Sequence, residues 1–257
     1  MRFTRAIVRT PSATYADGLT TAGLGAPEIA LALAQHRAYV EALRSCGVEV
    51  TVLPPEDGYP DSTFVEDTAV LTSAWGIVAR PGAPSRLGEA DRMRPVLAER
   101  FADLGAIEAP GTLDGGDICE AGERFFIGLS HRTNEAGATQ LADFLAARGR
   151  PSTIVDLRAV PGLLHLKSGI AAVAPDTMVV VSAFLRHPAF SEYNLIPVDA
   201  AEGYAANCVR VNDRVLVAEG YPRLEAALRG AGLSPLPLDM SEFRKMDGGL
   251  SCLSLRY

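Results

Sequence analysis

The sequence predicts a mixed α/β fold in which a strand–strand–helix unit recurs about five times and closes into a ring. Five places along the chain combine a polar or small-residue cluster with a β-like apolar segment, at intervals of roughly 40 to 50 residues. Segments with helical patterns fill the gaps between them. An α/β sandwich whose spacing is coincidental is the alternative interpretation of the same pattern.

Three of the five units contain a hairpin with recognisable turn chemistry, at AGER (121–124), APDT (174–177) and VNDR (211–214). Gly, Pro, Asp and Asn favour turns because they accept the required backbone angles or hydrogen-bond to the local backbone. The last unit is cut short at Tyr257. A strand predicted over residues 3–9 is free to complete it, and such closure would remove exposed sheet edges.

Four segments have helical character. The clearest covers residues 27–44, where apolar side chains recur at helical spacing between Pro27 near the start and Gly47 after the end. The others cover residues 89–104, 134–148 and 222–230. Because no Pro/Ser-rich linker divides the chain, we expect a single domain over residues 1–257.

Composition narrows the classes of function. The 257 residues are 48% hydrophobic and 21% charged, as in ordinary globular proteins, and no apolar run approaches the roughly 20 residues of a membrane helix. The net charge of −7, with Lys167 and Lys245 as the only lysines, argues against a nucleic-acid partner. Four scattered cysteines without a CxxC pair favour a reduced, cytoplasmic setting over a disulfide framework or a zinc ribbon.

Cys252 and His165 are the first candidates for chemistry. Cys252 follows a DGG turn in KMDGGLSC, where glycines let a ligand approach the backbone, although inert packing is the default for any one cysteine. His165 lies in the apolar run LLHL, which would bury it, and a core histidine is the usual reading of such a site. A thiolate nucleophile nevertheless needs a proton carrier, and histidine suits that role near neutral pH.

Carboxylates supply the third part of the pattern. Asp61, Glu66 and Asp67 lie in one short segment, and Asp114 and Asp117 flank the glycines of DGGD. A turn explains either DGG motif alone, but two copies at equivalent repeat positions weaken that explanation. Carboxylates orient an imidazole and bind a planar cation through charge-assisted hydrogen bonds. A ring of acids around one cysteine and one histidine therefore suits a guanidinium better than a neutral peptide.

Together these segments resemble the dimethylarginine dimethylaminohydrolases, a family of the guanidino-group-modifying (pentein) superfamily. The similar stretches occur in order from about residue 7 to the end: DGLT (17–20), LPPEDGYPDSTFVEDT (53–68), RPGAPSR (80–86), EAPGTLDGGDI (108–118), RTNEAGA (132–138), LHLKSG (164–169), YAANC (204–208) and RKMDGGLSC (244–252). The resemblance implies a five-bladed α/β propeller with pseudo-fivefold ββαβ-type repeats. It also implies hydrolysis of Nω-methylated and Nω,Nω-dimethylated L-arginine to L-citrulline and methylamine or dimethylamine, through a covalent cysteine thiouronium, without cofactor or metal.

The resemblance also implies roles for individual residues. By matching position, Cys252 is the nucleophile, His165 the general acid/base and Asp114 the carboxylate that supports His165. The implied substrate contacts are Asp61 and Asp67 on the guanidinium with Glu66 beside them, Arg86 and Arg132 on the α-carboxylate, the backbone of Leu19 on the α-amino group, and Phe64 against the cation or its stem. Met246 departs from the family pattern, since bacterial relatives often carry Ile or Val there, and this bears on the preference between methylated substrates.

Two other functions stay open. An arginine or agmatine deiminase would use a similar residue set and release ammonia. Arg86 and Arg132 favour an amino acid over agmatine, and the absence of an inserted domain argues against arginine deiminase. A non-catalytic ribosome anti-association factor shares the propeller, but it gives no reason for Cys252, His165 and Asp114 to occur together. The oligomeric state is not readable from the sequence, and a homodimer is one option.

Overall fold

Residues 2–257, which the computed structural model describes, form fifteen strands and five α-helices. The strands are β1 (Arg5–Arg9), β2 (Glu49–Leu53), β3 (Ala69–Leu71), β4 (Gly76–Val78), β5 (Leu104–Ala106), β6 (Ile118–Ala121), β7 (Arg124–Leu129), β8 (Ser152–Asp156), β9 (Ile170–Ala174), β10 (Thr177–Val181), β11 (Asn194–Val198), β12 (Val209–Val211), β13 (Arg214–Ala218), β14 (Pro235–Leu238) and β15 (Leu255–Arg256). The helices are α1 (Ile29–Ser45), α2 (Leu87–Ala98), α3 (Glu135–Ala146), α4 (Pro222–Gly230) and α5 (Ser241–Arg244). None of the helices in this part of the chain is long and apolar enough to cross a membrane.

The strands form five three-stranded sheets: β3–β4–β5, β6–β7–β8, β9–β10–β11, β12–β13–β14 and β15–β1–β2. In each sheet the first strand is antiparallel to the middle one, and the third is parallel to it. Helices α2, α3, α4 and α1 connect middle and outer strands in four sheets, whereas two 3-10 turns make that connection in the third. The predicted five-bladed α/β propeller with ββαβ-type repeats is therefore confirmed, and the sandwich alternative is wrong.

The ring closes through its two chain ends. Strand β15 pairs antiparallel with β1, with Ala6 opposite Arg256. The predicted hairpins and the helix over residues 222–230 are confirmed. The helix predicted over residues 89–104 is wrong at its end, because α2 stops at Ala98 and residues 104–106 form the outer strand that pairs with β4. The hydrogen bonds that this sheet requires override the helical pattern of the sequence.

The hydrophobic core consists of five clusters, each shared between neighbouring sheets. Strand β7 shows how this works: Phe125 and Ile127 face the sheet before it, while Phe126 faces the sheet after it. Successive side chains of a strand point to opposite faces, so a middle strand with both faces covered reads as a continuous apolar run. Each sheet is thus fixed relative to its neighbours, which holds the turns at the ends of the sheets in a defined arrangement.

A short 3-10 turn precedes the inner strand of every sheet. These turns are Val65–Thr68 (the acidic turn), Gly115–Asp117, Leu166–Ser168 (the His165 turn), Ala200–Ala206 and Ser251–Leu253 (the Cys252 turn). Several of them contact one another across sheet boundaries, including the acidic turn with the Cys252 turn. Asp67, Asp117, Ser168 and Ser251, which occupy equivalent positions of the predicted repeat, lie in these turns, and Asn207 directly follows one of them. Polar residues far apart in sequence therefore meet around one axis.

Candidate active site

One small cavity among these turns and the adjacent loops collects most of the predicted site residues. Its lining contains every one of them except Glu66 and Asp114: Leu19, Asp61, Phe64, Asp67, Arg86, Arg132, His165, Met246 and Cys252. The remaining lining residues are Leu164, Asp247 and Gly248. The cavity therefore combines a thiol, an imidazole and several carboxylates with an apolar wall.

Cys252 is partly buried at the centre of the Cys252 turn, where the backbone N–H of Gly249 lies 3.4 Å from its Sγ. Burial and the negative charges of Glu66 and Asp67 raise the pKa of the thiol to about 12, while the Gly249 N–H and the charge of Lys167 act in the opposite direction. The substrate-free protein thus holds a thiol at neutral pH. A cation bound in the cavity would favour the thiolate by direct Coulomb attraction.

His165 is almost fully buried and faces three carboxylates. Its Nε2 lies 3.0 Å from Oδ2 of Asp114, whose other oxygen accepts a 2.8 Å hydrogen bond from the backbone N–H of Gly82. Burial disfavours the imidazolium, but the charges of Asp67 and Asp117 and the contact with Asp114 outweigh it and raise the pKa of His165 to about 9. The imidazole is therefore protonated at neutral pH and ready to act as an acid.

The glycines of the two DGG motifs permit close packing around these groups. A Cβ atom on Gly116 would lie 2.7 Å from Nδ1 of His165 and 2.9 Å from Oδ1 of Asp67. A Cβ on Gly248 would overlap the ring of Phe64. The glycines of both motifs therefore allow the backbone to lie close to side chains of the site, and they do more than form a turn.

Asp117 supports the His165 turn and was not assigned a role from the sequence. It is fully buried and accepts hydrogen bonds from the backbone N–H of Leu166 at 2.9 Å and from the hydroxyls of Ser130 and Thr133. Burial raises the pKa of Asp117 to about 6, against the opposing effects of His165 and the two hydroxyls. Its position as the second aspartate of DGGD could have indicated a role in the site, but its hydrogen-bond partners could not be predicted from the sequence.

Asp67 and Arg86 form a buried ion pair at one side of the cavity. Nη1 of Arg86 lies 2.6 Å from Oδ2 of Asp67, and Nε and Nη2 donate to Glu89. Burial alone would raise the pKa of Asp67, but His165, Arg86 and the backbone N–H of Gly116 together lower it to about 2. Burial raises the pKa of Glu89 to about 7 in spite of Arg86. Arg86 lines the cavity yet is held by protein acceptors, so its binding of a substrate carboxylate stays a prediction.

Asp61, Leu19 and Arg132 also line the cavity, and the backbone carbonyl of Asp61 accepts from Nη2 of Arg86. Both carboxylate oxygens of Asp61 accept from the backbone N–H of Leu19, at 3.1 and 3.2 Å, and the binding of an α-amino group by the Leu19 backbone stays a prediction. Burial raises the pKa of Asp61, although the charges of Arg86 and Arg132 oppose it. The Arg132 side chain is 18% exposed, with Nη1 3.7 Å from Asp114, and is the more accessible of the two predicted carboxylate ligands.

Phe64 and Met246 supply the apolar wall. Both are buried, and they pack in one cluster with Tyr15 and Phe243. The Cε atom of Met246 reaches the backbone beside Gly18, close to Asp61. Met246 therefore borders the end of the cavity where carboxylates gather.

Glu66 is not placed as expected. Its carboxylate lines a different cavity and accepts from Nζ of Lys167 at 2.6 Å and from the hydroxyl of Ser251 at 2.7 Å, with Arg256 at 3.3 Å. Adjacent positions of the acidic turn point in different directions, so Glu66 cannot share the cavity of Asp67. The Glu66 carboxylate instead bonds to the Cys252 turn through Ser251, so the predicted place of Glu66 among the substrate-binding residues stays a prediction.

Asp67, Asp114 and His165 lie close enough together to offer ligand atoms to a metal ion. Their lone pairs are, however, directed at protein donors: Asp67 accepts from Arg86 and Gly116, and Asp114 accepts from Gly82. Both aspartates are thus already engaged by protein hydrogen-bond donors.

Comparisons with known proteins agree with this geometry. A family model described as N,N dimethylarginine dimethylhydrolase, eukaryotic, matches residues 26–196. The chain is 43% identical over 257 residues to the N(G),N(G)-dimethylarginine dimethylaminohydrolase of Pseudomonas aeruginosa, covering 99% of this chain and 100% of the relative. The chain belongs to the dimethylarginine dimethylaminohydrolase family. It is also 35% identical over 254 residues to the Streptomyces coelicolor dimethylarginine dimethylaminohydrolase, covering 98% and 96% of the two chains.

Solved structures of dimethylarginine dimethylaminohydrolases superpose closely on the chain. The Pseudomonas aeruginosa enzyme, as a cysteine-to-serine variant complexed with citrulline, matches with a TM-score of 0.97 and 41% identity over 100% of both chains. A histidine-to-glycine variant bound as an adduct with S-methyl-L-thiocitrulline matches with a TM-score of 0.95, covering 99% of this chain and 100% of the other. The N-terminal domain of the cyanobacterial arginine dihydrolase ArgZ, at 18% identity and a TM-score of 0.89, shares the fold.

Proposed function

We propose that the protein hydrolyses Nω-methyl- and Nω,Nω-dimethyl-L-arginine to L-citrulline and methylamine or dimethylamine. The observation that carries this proposal is the single cavity shared by Cys252, His165, Asp61 and Asp67 in a chain of this family. Two buried carboxylates in one small cavity suit a planar cation, and the relative complexed with citrulline binds the expected product.

Substrate binding is proposed to combine three kinds of contact. Asp61 and Asp67 accept from the guanidinium, and Phe64 packs on its face or stem. Arg132, together with Arg86, binds the α-carboxylate, while the carbonyl of Leu19 accepts from the α-ammonium. The bound cation lowers the pKa of Cys252, because its positive charge offsets the nearby carboxylates that otherwise raise it.

The first half-reaction forms the covalent intermediate. Cys252 loses its proton to solvent, and its thiolate attacks the guanidinium carbon to give a tetrahedral adduct. Protonated His165 donates its proton to the departing amine as the C–N bond breaks. The product of this step is a thiouronium on Cys252, with His165 neutral and supported by Asp114 at 3.0 Å.

The second half-reaction returns the enzyme to its starting state. Neutral His165 takes a proton from water as the oxygen attacks the thiouronium carbon. The tetrahedral adduct then collapses with cleavage of the C–S bond, releasing the Cys252 thiolate and the ureido group of citrulline. The surplus proton returns to the Cys252 thiolate and restores the thiol, and no step requires a cofactor.

The decisive experiment offers dimethylarginine, monomethylarginine, arginine and agmatine separately and measures citrulline together with the released amine. We expect citrulline and dimethylamine in equal amounts from dimethylarginine. Ammonia from arginine or agmatine at a rate equal to or above that of dimethylamine would instead establish a deiminase. Cys252→Ser is the matched control, because it keeps the shape of the site while replacing the thiol, and we expect it to fold and to lose turnover.

Three broader expectations complete the proposal. We infer that residues 1–257 act as one domain, which the cores shared between neighbouring sheets support. A cytoplasmic location is supported by the four cysteines, which are all free thiols. The homodimer stays a prediction, to be checked by light scattering of the purified protein.

A further inference from the structure

The side chain of Asn207 joins the His165 turn to the Cys252 turn. It follows the Ala200–Ala206 turn and is 8% exposed. Its Nδ2 donates to the backbone carbonyl of Lys167 at 3.0 Å and to Oγ of Ser251 at 3.1 Å. Its Oδ1 accepts from the backbone N–H of Ser251 at 2.9 Å. One amide thus connects Lys167, two residues after the predicted general acid/base, with Ser251, the residue before the predicted nucleophile.

The orientation of this amide is determined by its partners. A backbone N–H can only donate, so the atom facing Ser251 N must be the oxygen, and a carbonyl can only accept, so the atom facing Lys167 must be the nitrogen. The Ser251 hydroxyl donates to Glu66 at 2.7 Å and therefore accepts from Nδ2. Because Lys167 also pairs with Glu66 at 2.6 Å, these hydrogen bonds close a loop through three turns.

The backbone at Gly249 packs directly against the side chain of Asn207. A Cβ atom on Gly249 would lie 2.5 Å from both Cγ and Oδ1 of Asn207. Asn207 does not line the cavity that contains Cys252 and His165, so it does not touch a substrate bound there. Its influence on chemistry must act through the positions of the two turns.

We propose that Asn207 is a positioning residue that sets the separation between the Cys252 thiol and the His165 imidazole. This inference rests on the proposed function, in which His165 must reach the amine that leaves the adduct on Cys252. The two residues lie on short turns of different sheets, and Asn207 bonds to both turns through a single rigid group. Misplacement of reacting groups by about 1 Å costs on the order of 100-fold in rate, so loss of this connection acts on turnover more than on binding.

The test compares Asn207→Ala and Asn207→Asp with the wild type in dimethylarginine turnover. For both variants we expect kcat to fall about 10- to 100-fold while KM stays within about threefold. Asn207→Asp removes the donor to Lys167 and adds a negative charge near Cys252. The pH midpoint for alkylation of Cys252 by iodoacetamide should therefore move upward in that variant, because a nearby negative charge raises the pKa of a thiol.

Asn134→Ala is the matched control. Asn134 also holds three backbone groups together, accepting from Thr112 and Gly137 and donating to Pro110, but it caps α3 and does not line the cavity. Its replacement should lower the melting temperature without changing kcat or the alkylation midpoint. Gly249→Ala should displace the side chain of Asn207 by steric contact, and this variant is measured instead if Asn207→Ala does not fold.

The outcomes separate this inference from the proposed function. A wild-type protein that forms no citrulline from methylated arginine overturns the proposed function, and the alkylation profiles still report on Asn207. A kcat for Asn207→Ala equal to that of Asn134→Ala, or a loss confined to KM, overturns the positioning role. So does an alkylation midpoint in Asn207→Asp that is unchanged from the wild type.

Discussion

Glu66 and Asp67 are neighbours in the acidic turn and equally buried, yet they belong to different parts of the molecule. Asp67 lines the cavity of Cys252 and His165 and pairs with Arg86. Glu66 lines a second cavity of about 210 Å³, bordered by the inner strands of all five sheets, and pairs with Lys167. The two cavities share no lining residue, and the acidic turn separates them.

Two adjacent carboxylates of one turn can thus have different roles, one facing the cavity and one stabilising the Cys252 turn. Asp67 faces the cavity, where its charge raises the pKa of His165 and is available to a cation. Glu66 faces away from it, and its charge reaches Cys252 only from beneath, where it raises the pKa of the thiol. A carboxylate on the cavity side acts on the substrate and the acid, whereas one on the far side holds the Cys252 turn in place.

Replacement of Asp67 should have the largest effect. Asp67→Asn removes one of the two acidic partners of Arg86, one proposed ligand of the guanidinium and a principal charge that raises the pKa of His165. Truncating one member of a buried charged pair costs about 2–5 kcal/mol, so we expect kcat/KM to fall on the order of 1000-fold. Steady-state kinetics with dimethylarginine measure this, with thermal unfolding as the check on folding. A loss of less than tenfold would show that Asp67 serves packing rather than binding.

Replacement of Glu66 should have a smaller effect on turnover. Because the charge of Glu66 raises the pKa of Cys252, Glu66→Gln should lower that pKa and move the iodoacetamide alkylation midpoint to lower pH, by about one unit. We expect turnover to change by about tenfold at most, since a glutamine side chain can still accept from Ser251. An upward or unchanged midpoint would contradict the electrostatic role assigned to the far side of the turn.

The repeat and the motifs predicted much of this arrangement because both depend on local chemistry. Turn residues between apolar runs located the hairpins, and the DGG motifs located the segments that carry Asp114 and Cys252. The division between Glu66 and Asp67 could not be predicted in the same way. It depends on donors from Lys167 and Arg256, which are distant in sequence and reach Glu66 only because the ring closes.

The same limit applies to the other supporting groups. Glu89 accepts hydrogen bonds from the guanidinium of Arg86, and Asn207 forms hydrogen bonds with two turns. Both contacts depend on side-chain geometry, which cannot be predicted from spacing in the sequence. The predicted end of α2 is wrong because the pairing of β5 with β4, and not the helical pattern, determines where the helix ends. The residues proposed to contact the substrate could be predicted because they lie in sequence motifs. The residues that hold those side chains in place could be identified only from the folded structure.

The smallest expected effect tests whether chemistry is confined to the cavity of Asp67. Cys119 lies on β6 and lines the cavity of Glu66, and burial raises the pKa of its thiol to about 11. Cys119→Ala should leave citrulline formation within about twofold of the wild type and lower the free energy of unfolding by about 1 kcal/mol, the cost of a small buried truncation. Because Cys252 is untouched, iodoacetamide should still abolish activity at the wild-type rate. A tenfold loss of turnover in Cys119→Ala would mean that the second cavity takes part in the reaction and that the acidic turn does not separate two functions.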